Sequence, residues 1–119
     1  MEPMALTHIA TQLARFETAS GEALAAVQGD SSASPVLAAV VGEFNRKAQK
    51  AVGALAATAD ERTAREAVVE LEQAADSANY AAAADRGAAE TTKEVVYAAH
   101  GMVCVFKQAM LSAGVRPPS

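Results

Sequence analysis

Val95-Val-Tyr-Ala-Ala-His-Gly-Met-Val-Cys-Val-Phe106 carries no formal charge when His100 is neutral. A helix lying on a protein surface shows charge on its solvent side every turn or so. Here three turns pass with none. Val95, Ala99, Met102 and Phe106 fall on one stripe at helical spacing. Val96, Val103 and Met110 flank that stripe, and Tyr97, Ala98, Cys104 and Val105 cover the remaining directions. A helix apolar on all sides is covered on more than one side. This run is too short to cross a bilayer, which needs about 20 residues. Two arrangements would cover it. Either the helix is central in the monomer, or its second face meets another chain. Both predict that charge at Val103 or Phe106 destabilises the fold. Only the second predicts that charge at Tyr97 or Val105 gives a folded but dissociated protein.

Outward from this segment, three more helices follow from periodicity. The apolar run belongs to a helix over 88–113, stopped by Gly114 and Pro117-Pro118. Asp85-Arg86-Gly87 precedes it, with Gly87 offered as the left-handed residue that ends the previous helix. That previous helix covers 59–85 and has a thin stripe of Ala64, Ala67, Val68, Leu71, Ala74, Ala75 and Ala78. Its start is assigned to Thr58-Ala59-Asp60-Glu61, which has capping-box spacing. One helix running unbroken through Thr58 is the competing reading. A helix over 35–57 carries Leu37, Val40, Val41, Phe44, Ala48, Ala51, Val52 and Leu55, and opens on Ser34-Pro35. A helix over 7–28 carries Ile9, Leu13, Phe16, Ala23, Leu24 and Val27, with Thr7 as its cap. Gly29 to Pro35 is a loop.

The fold class follows. Of 119 residues, 31 are alanine and 27 are Ile, Leu, Val, Met or Phe. Alanine favours helices and is depleted in strands. The chain is therefore read as one all-α domain, a bundle of four antiparallel helices with closely approaching, alanine-rich faces. Such faces yield less transfer free energy than leucine faces. A lone chain then has a slim core, and a homodimer would complete it.

Charge and chemistry exclude several functions. The formal net charge is -4, and the densest positive stretch is Arg46, Lys47 and Lys50. That footprint is small for phosphate-backbone binding, so no direct nucleic acid is expected. The one cysteine, Cys104, forms no internal disulfide and suits a reducing compartment. The N-terminal residues lack a secretory pattern. A cytoplasmic protein with no membrane partner is expected. No nucleophile elbow, phosphate loop or dinucleotide fingerprint occurs, and no enzyme activity is expected. His100 lacks the His-x-x-Lys-Gly context of phosphotransfer domains and reads as a histidine at the core edge. His100 and Cys104 lie one turn apart, a spacing that suits two metal ligands or a thiolate beside an imidazolium. His8 is distant in sequence, so a complete site would need a second chain. No cofactor and no metal are expected. Glu66, Glu70, Glu72 and Asp76 read as a solvated acidic face that could dock a basic partner. Neither histidine has a glutamate three residues before it, which excludes the di-iron pattern. Gly42 and Gly53 are read as tolerated glycines on the polar side of their helix.

Tyr97-Ala98-Ala99-His100 with Met102, followed by Leu111-Ser112-Ala113-Gly114-Val115-Arg116-Pro117, resembles the C-terminal helix and Gly-x-x-Pro ending of TraM-type quorum-sensing antiactivators. In size and character the chain is also similar to the QslA-like antiactivators. The resemblance implies a small helical dimer that binds a LuxR-type transcription factor and keeps it from acting. The residues expected to anchor a partner or dimer interface are Tyr97, Met102, Val105, Phe106 and Met110, because aromatic and methionine side chains are enriched at interfaces. A small secretion-system chaperone or structural component is the alternative, and a histidine phosphotransfer domain the second alternative.

Overall fold

The structure, a computed structural model, describes residues 2–117. It consists of α1 (Leu6–Gln28), α2 (Pro35–Ala57), α3 (Glu61–Ala84) and α4 (Glu90–Ala113). Each helix packs on the next, and α4 packs back on α1. The short connections leave only antiparallel neighbours. The chain ends close the ring. The Met4 amide donates to the Gly114 carbonyl at 2.9 Å, and the Arg116 amide donates to the Met4 carbonyl at 2.7 Å. The fold is an all-α four-helix bundle.

Local chemistry explains the ends. The Ser34 hydroxyl accepts the Leu37 amide at 3.1 Å, and Pro35 fills the first helical position where no donor is needed. The start of α3 differs from the capping-box expectation. Asp60 is the cap, its carboxylate accepting the Thr63 amide at 2.8 Å. Thr58 ends α2 instead, donating its amide to the Ala54 carbonyl. A carboxylate complements the positive end of a helix better than a hydroxyl does, so α3 begins two residues later than expected. The break also removes the unbroken-helix reading. Thr7 lies inside α1 and does not cap it; Ala5 precedes the helix without a side-chain bond. The α4 helix starts at Glu90, not at 88. Gly87 is not left-handed. Among the described residues only Gly114 has positive φ, at 79°, where it turns the chain out of α4. Gly87 is needed for another reason: the Ser32 carbonyl oxygen fills the space where a Cβ would stand. Pro118, expected to help stop α4, lies outside the described residues.

The core runs the length of the bundle. Phe16, Phe44, Leu13, Leu37, Leu71 and Met110 are among its fully buried side chains. Phe106 sets its ring edge-on to Phe16 with centroids 5.6 Å apart. The α3 helix supplies Val68 and Leu71 as bulky groups, and otherwise Ala64, Ala67, Ala75, Ala78 and Ala82. The full α4 helix is long and apolar enough to cross a membrane by length and composition. In the bundle, however, its Val96, Ala99, Val103, Phe106 and Met110 seam is core. It also bears Lys93, Glu94 and Lys107. It packs against α3 and α1 as one helix of a compact globule.

Candidate functional site

Outside the core seam, α4 presents two further faces of different chemistry. One meets α3. Residues four apart share a helix face, so Glu72 and Asp76 form one pair on α3, and His100 and Cys104 form another on α4. The bundle brings the two pairs together. His100 Nε2 lies 2.7 Å from Asp76 Oδ1. Cys104 Sγ lies 3.2 Å from the same Nε2 and 3.8 Å from Asp76 Oδ1. One turn further, Lys107 Nζ donates to Glu72 Oε1 at 2.7 Å, with both side chains largely covered.

The acidic residues are thus not a free solvated face. Glu66 pairs with Arg62 at 2.9 Å. Glu70 takes Lys47 at 2.7 Å and Lys50 at 2.9 Å. Hydrogen bonds from Lys47 and then Lys50 hold its carboxyl down to about 2. Glu72 and Asp76 are engaged by α4. Arg62 of α3, the α2 lysines and the α4 side chains thus each engage one of these carboxylates, although Glu66 and Asp76 stay exposed.

The geometry of the cluster bears on cysteine and histidine chemistry. A nucleophile–base–carboxylate relay needs the thiol and the carboxylate on opposite ring nitrogens. Here both approach Nε2. Burial, and then the charges of Asp76 and Glu72, push the Cys104 thiol up from its ordinary value. A phosphoryl group entering on Nε2 would meet the Asp76 carboxylate, and Lys107, the cation on this face, is held by Glu72.

The second face looks outward beside α1. Val105 is 73% exposed, while Tyr97 and Met102 are half-buried. Phe106 and Met110 are corrections to the expected anchor set: both are buried in the monomer core. Their stripe points at α1 and the bundle axis; Met110 is fully buried, and Phe106 reaches the outer groove only at its edge. Gly101, Met102, Val105 and Ala109 of α4, with Met4 and Arg15 from the N-terminal side, line a shallow groove. His8 lies in the same groove, its ring 5.9 Å from that of Phe106. It therefore takes no part in the Asp76–His100–Cys104 cluster.

Sequence reading missed Asp76 as a partner of His100. The signal was the two i,i+4 pairs, but which pair faces which depends on the axial register of α3 against α4. It also passed over Val36 and Tyr80, which are exposed near the opposite end of the bundle from Met4. Comparison with protein-family models, curated proteins and solved structures gives no match.

Proposed function

We propose that this chain is a non-enzymatic helical binding protein of the cytoplasm, which dimerises through the outer face of α4 and sequesters a protein partner. The observation that carries this reading is the outward strip Ala98, Gly101, Val105 and Ala109. Ala98, Val105 and Ala109 are exposed, yet α4 bears no formal charge between Glu94 and Lys107. An outward helix face without charge over three turns is the kind of surface that interface cores use, and Arg15 borders it. Small side chains at 98, 101 and 109 let a second helix approach closely around Val105. The partner class comes from the C-terminal resemblance: a LuxR-type transcription factor, held away from its operator.

The test has two steps. Sedimentation at micromolar concentration is expected to give a dimer, with Val105→Glu a folded monomer. Added to a LuxR-type regulator, the wild-type protein is expected to abolish operator binding in a mobility-shift assay, and Val105→Glu to weaken that effect. A wild-type monomer at that concentration sinks the dimer. A regulator that still binds its operator sinks the antiactivator role and leaves exported proteins as the partners to try.

A further inference from the structure

We propose that Asp76, His100 and Cys104 form a zinc-binding site that ties α3 to α4. The geometry supports it first. Three atoms of different donor type, Oδ1, Nε2 and Sγ, surround one point, with separations of 2.7, 3.2 and 3.8 Å. Around tetrahedral zinc, with bonds of about 2.0–2.3 Å, such donors stand about 3.4–3.6 Å apart. The cluster needs only a small opening of the Asp76–His100 pair, and the exposed Asp76 side chain has room for it.

Charge balance supports it second. Nε2 cannot donate to Asp76 and accept from Cys104 at once. As hydrogen bonds the cluster closes only when Nε2 and the Cys104 thiol both donate to Asp76. A cation accepts a lone pair from all three donors. With Cys104 as thiolate and Asp76 ionised, the two negative charges cancel those of a divalent ion. The adjacent Glu72–Lys107 pair is already neutral. The thiol proton passes to solvent when the metal binds.

The donor set selects the ion. Thiolate and imidazole disfavour magnesium and calcium, which take oxygen ligands. One each of S, N and O in a small tetrahedral space fits zinc. Three protein ligands leave a fourth position, and the exposure of Asp76 opens it to water. The site also lies where the fold is thinnest. The seam of α3 is mostly alanine, so a bond between α3 and α4 supplies stability that apolar burial there does not.

The experiment uses the reduced, metal-free full chain, titrated with Zn2+ by calorimetry and with Co2+ by absorbance. The expected result is one ion per chain and a near-ultraviolet thiolate-to-cobalt charge-transfer band that zinc abolishes. About one proton should be released per zinc. The thermal midpoint should rise with zinc concentration. Cys104→Ser should remove the cobalt band, and His100→Gln and Asp76→Asn should each weaken binding at least about tenfold. His8→Gln, and the Val105→Glu variant that tests dimerisation, should bind as the wild type does. The site is overturned if the wild-type chain gives no cobalt band and no zinc-dependent thermal shift. It is equally overturned if one ion binds per two chains, or if His100→Gln binds zinc unchanged. The cobalt band of the wild-type chain reads the site directly, whether or not each variant folds.

Discussion

Asp30 and Asp85 lie in different loops, and each holds the start of the helix that follows the other's loop. Asp85 Oδ2 accepts the amide of Ser34, the cap of α2, at 2.8 Å. Asp30 Oδ2 accepts the amide of Ala89, which precedes α4, at 2.9 Å. Their other oxygens accept amides within their own loops, Ser32 for Asp30 and Gly87 with Ala88 for Asp85.

The cross-tie makes stability sensitive to acid. The amides of Ala89 and Ser32 hold the Asp30 carboxyl below its ordinary range, and that of Ser34 does so first for Asp85. A depressed folded pKa means stability that is complete above the unfolded value of 3.8 and lost as pH falls through the folded one. Glu70 acts in the same direction, its share fading between 4.5 and about 2. Circular dichroism melts below about pH 4 should show the midpoint falling steeply. Asp30→Asn with Asp85→Asn should lower the neutral-pH midpoint by several degrees and flatten the acid slope. An unchanged slope would remove the cross-tie as its cause.

Glycine positions should respond with opposite signs. Nothing stands within 4 Å of a Cβ added at Gly53 or Gly101. Gly53→Ala should stabilise α2 by about 0.5–1 kcal/mol in denaturant unfolding, because mid-helix glycine is costly. Gly87→Ala drives a methyl group into the Ser32 carbonyl and should cost roughly 1–3 kcal/mol. Gly101→Ala should stabilise the monomer much as Gly53→Ala does, but weaken dimerisation. If it leaves the dimer dissociation constant unchanged, close helix approach at that position is wrong.

Two neighbouring valines separate core from outer face. Val103 is fully buried and Val105 is 73% exposed. Val103→Glu should leave no cooperative unfolding transition, since an unpaired buried charge costs more than a slim core supplies. Val105→Glu should change monomer stability by no more than about 0.5 kcal/mol. Equal damage from both would place Val105 in the core of the working molecule.

The alanine seam of α3 should tolerate neither loss nor gain. Leu71→Ala removes one of its two buried bulky groups and should cost about 2–5 kcal/mol. Ala75 is fully buried, so Ala75→Leu should cost about 1–3 kcal/mol by overpacking. A neutral Ala75→Leu would mean that α3 is less closely held than its alanines imply.

The helices were legible in the sequence because their signals are local. Periodicity put Leu37, Val41, Phe44 and Leu55 on one buried face, and Ser34-Pro35 marked the start of α2. Alanine content marked the fold as closely packed helices. Where local signals competed, as between Thr58 and Asp60, the stronger electrostatic cap prevailed, which spacing alone did not rank. Tertiary packing decided the rest. The rotation of α4 about its own axis sent Phe106 and Met110 inward and left Val105 outside. The axial register of α3 against α4 set Asp76 on His100 and turned an apparent acidic face into paired charge. The fold of two distant loops set Asp30 and Asp85 on each other's helices. Rotation and register depend on the summed packing of all four helices, and no window of sequence contains that sum.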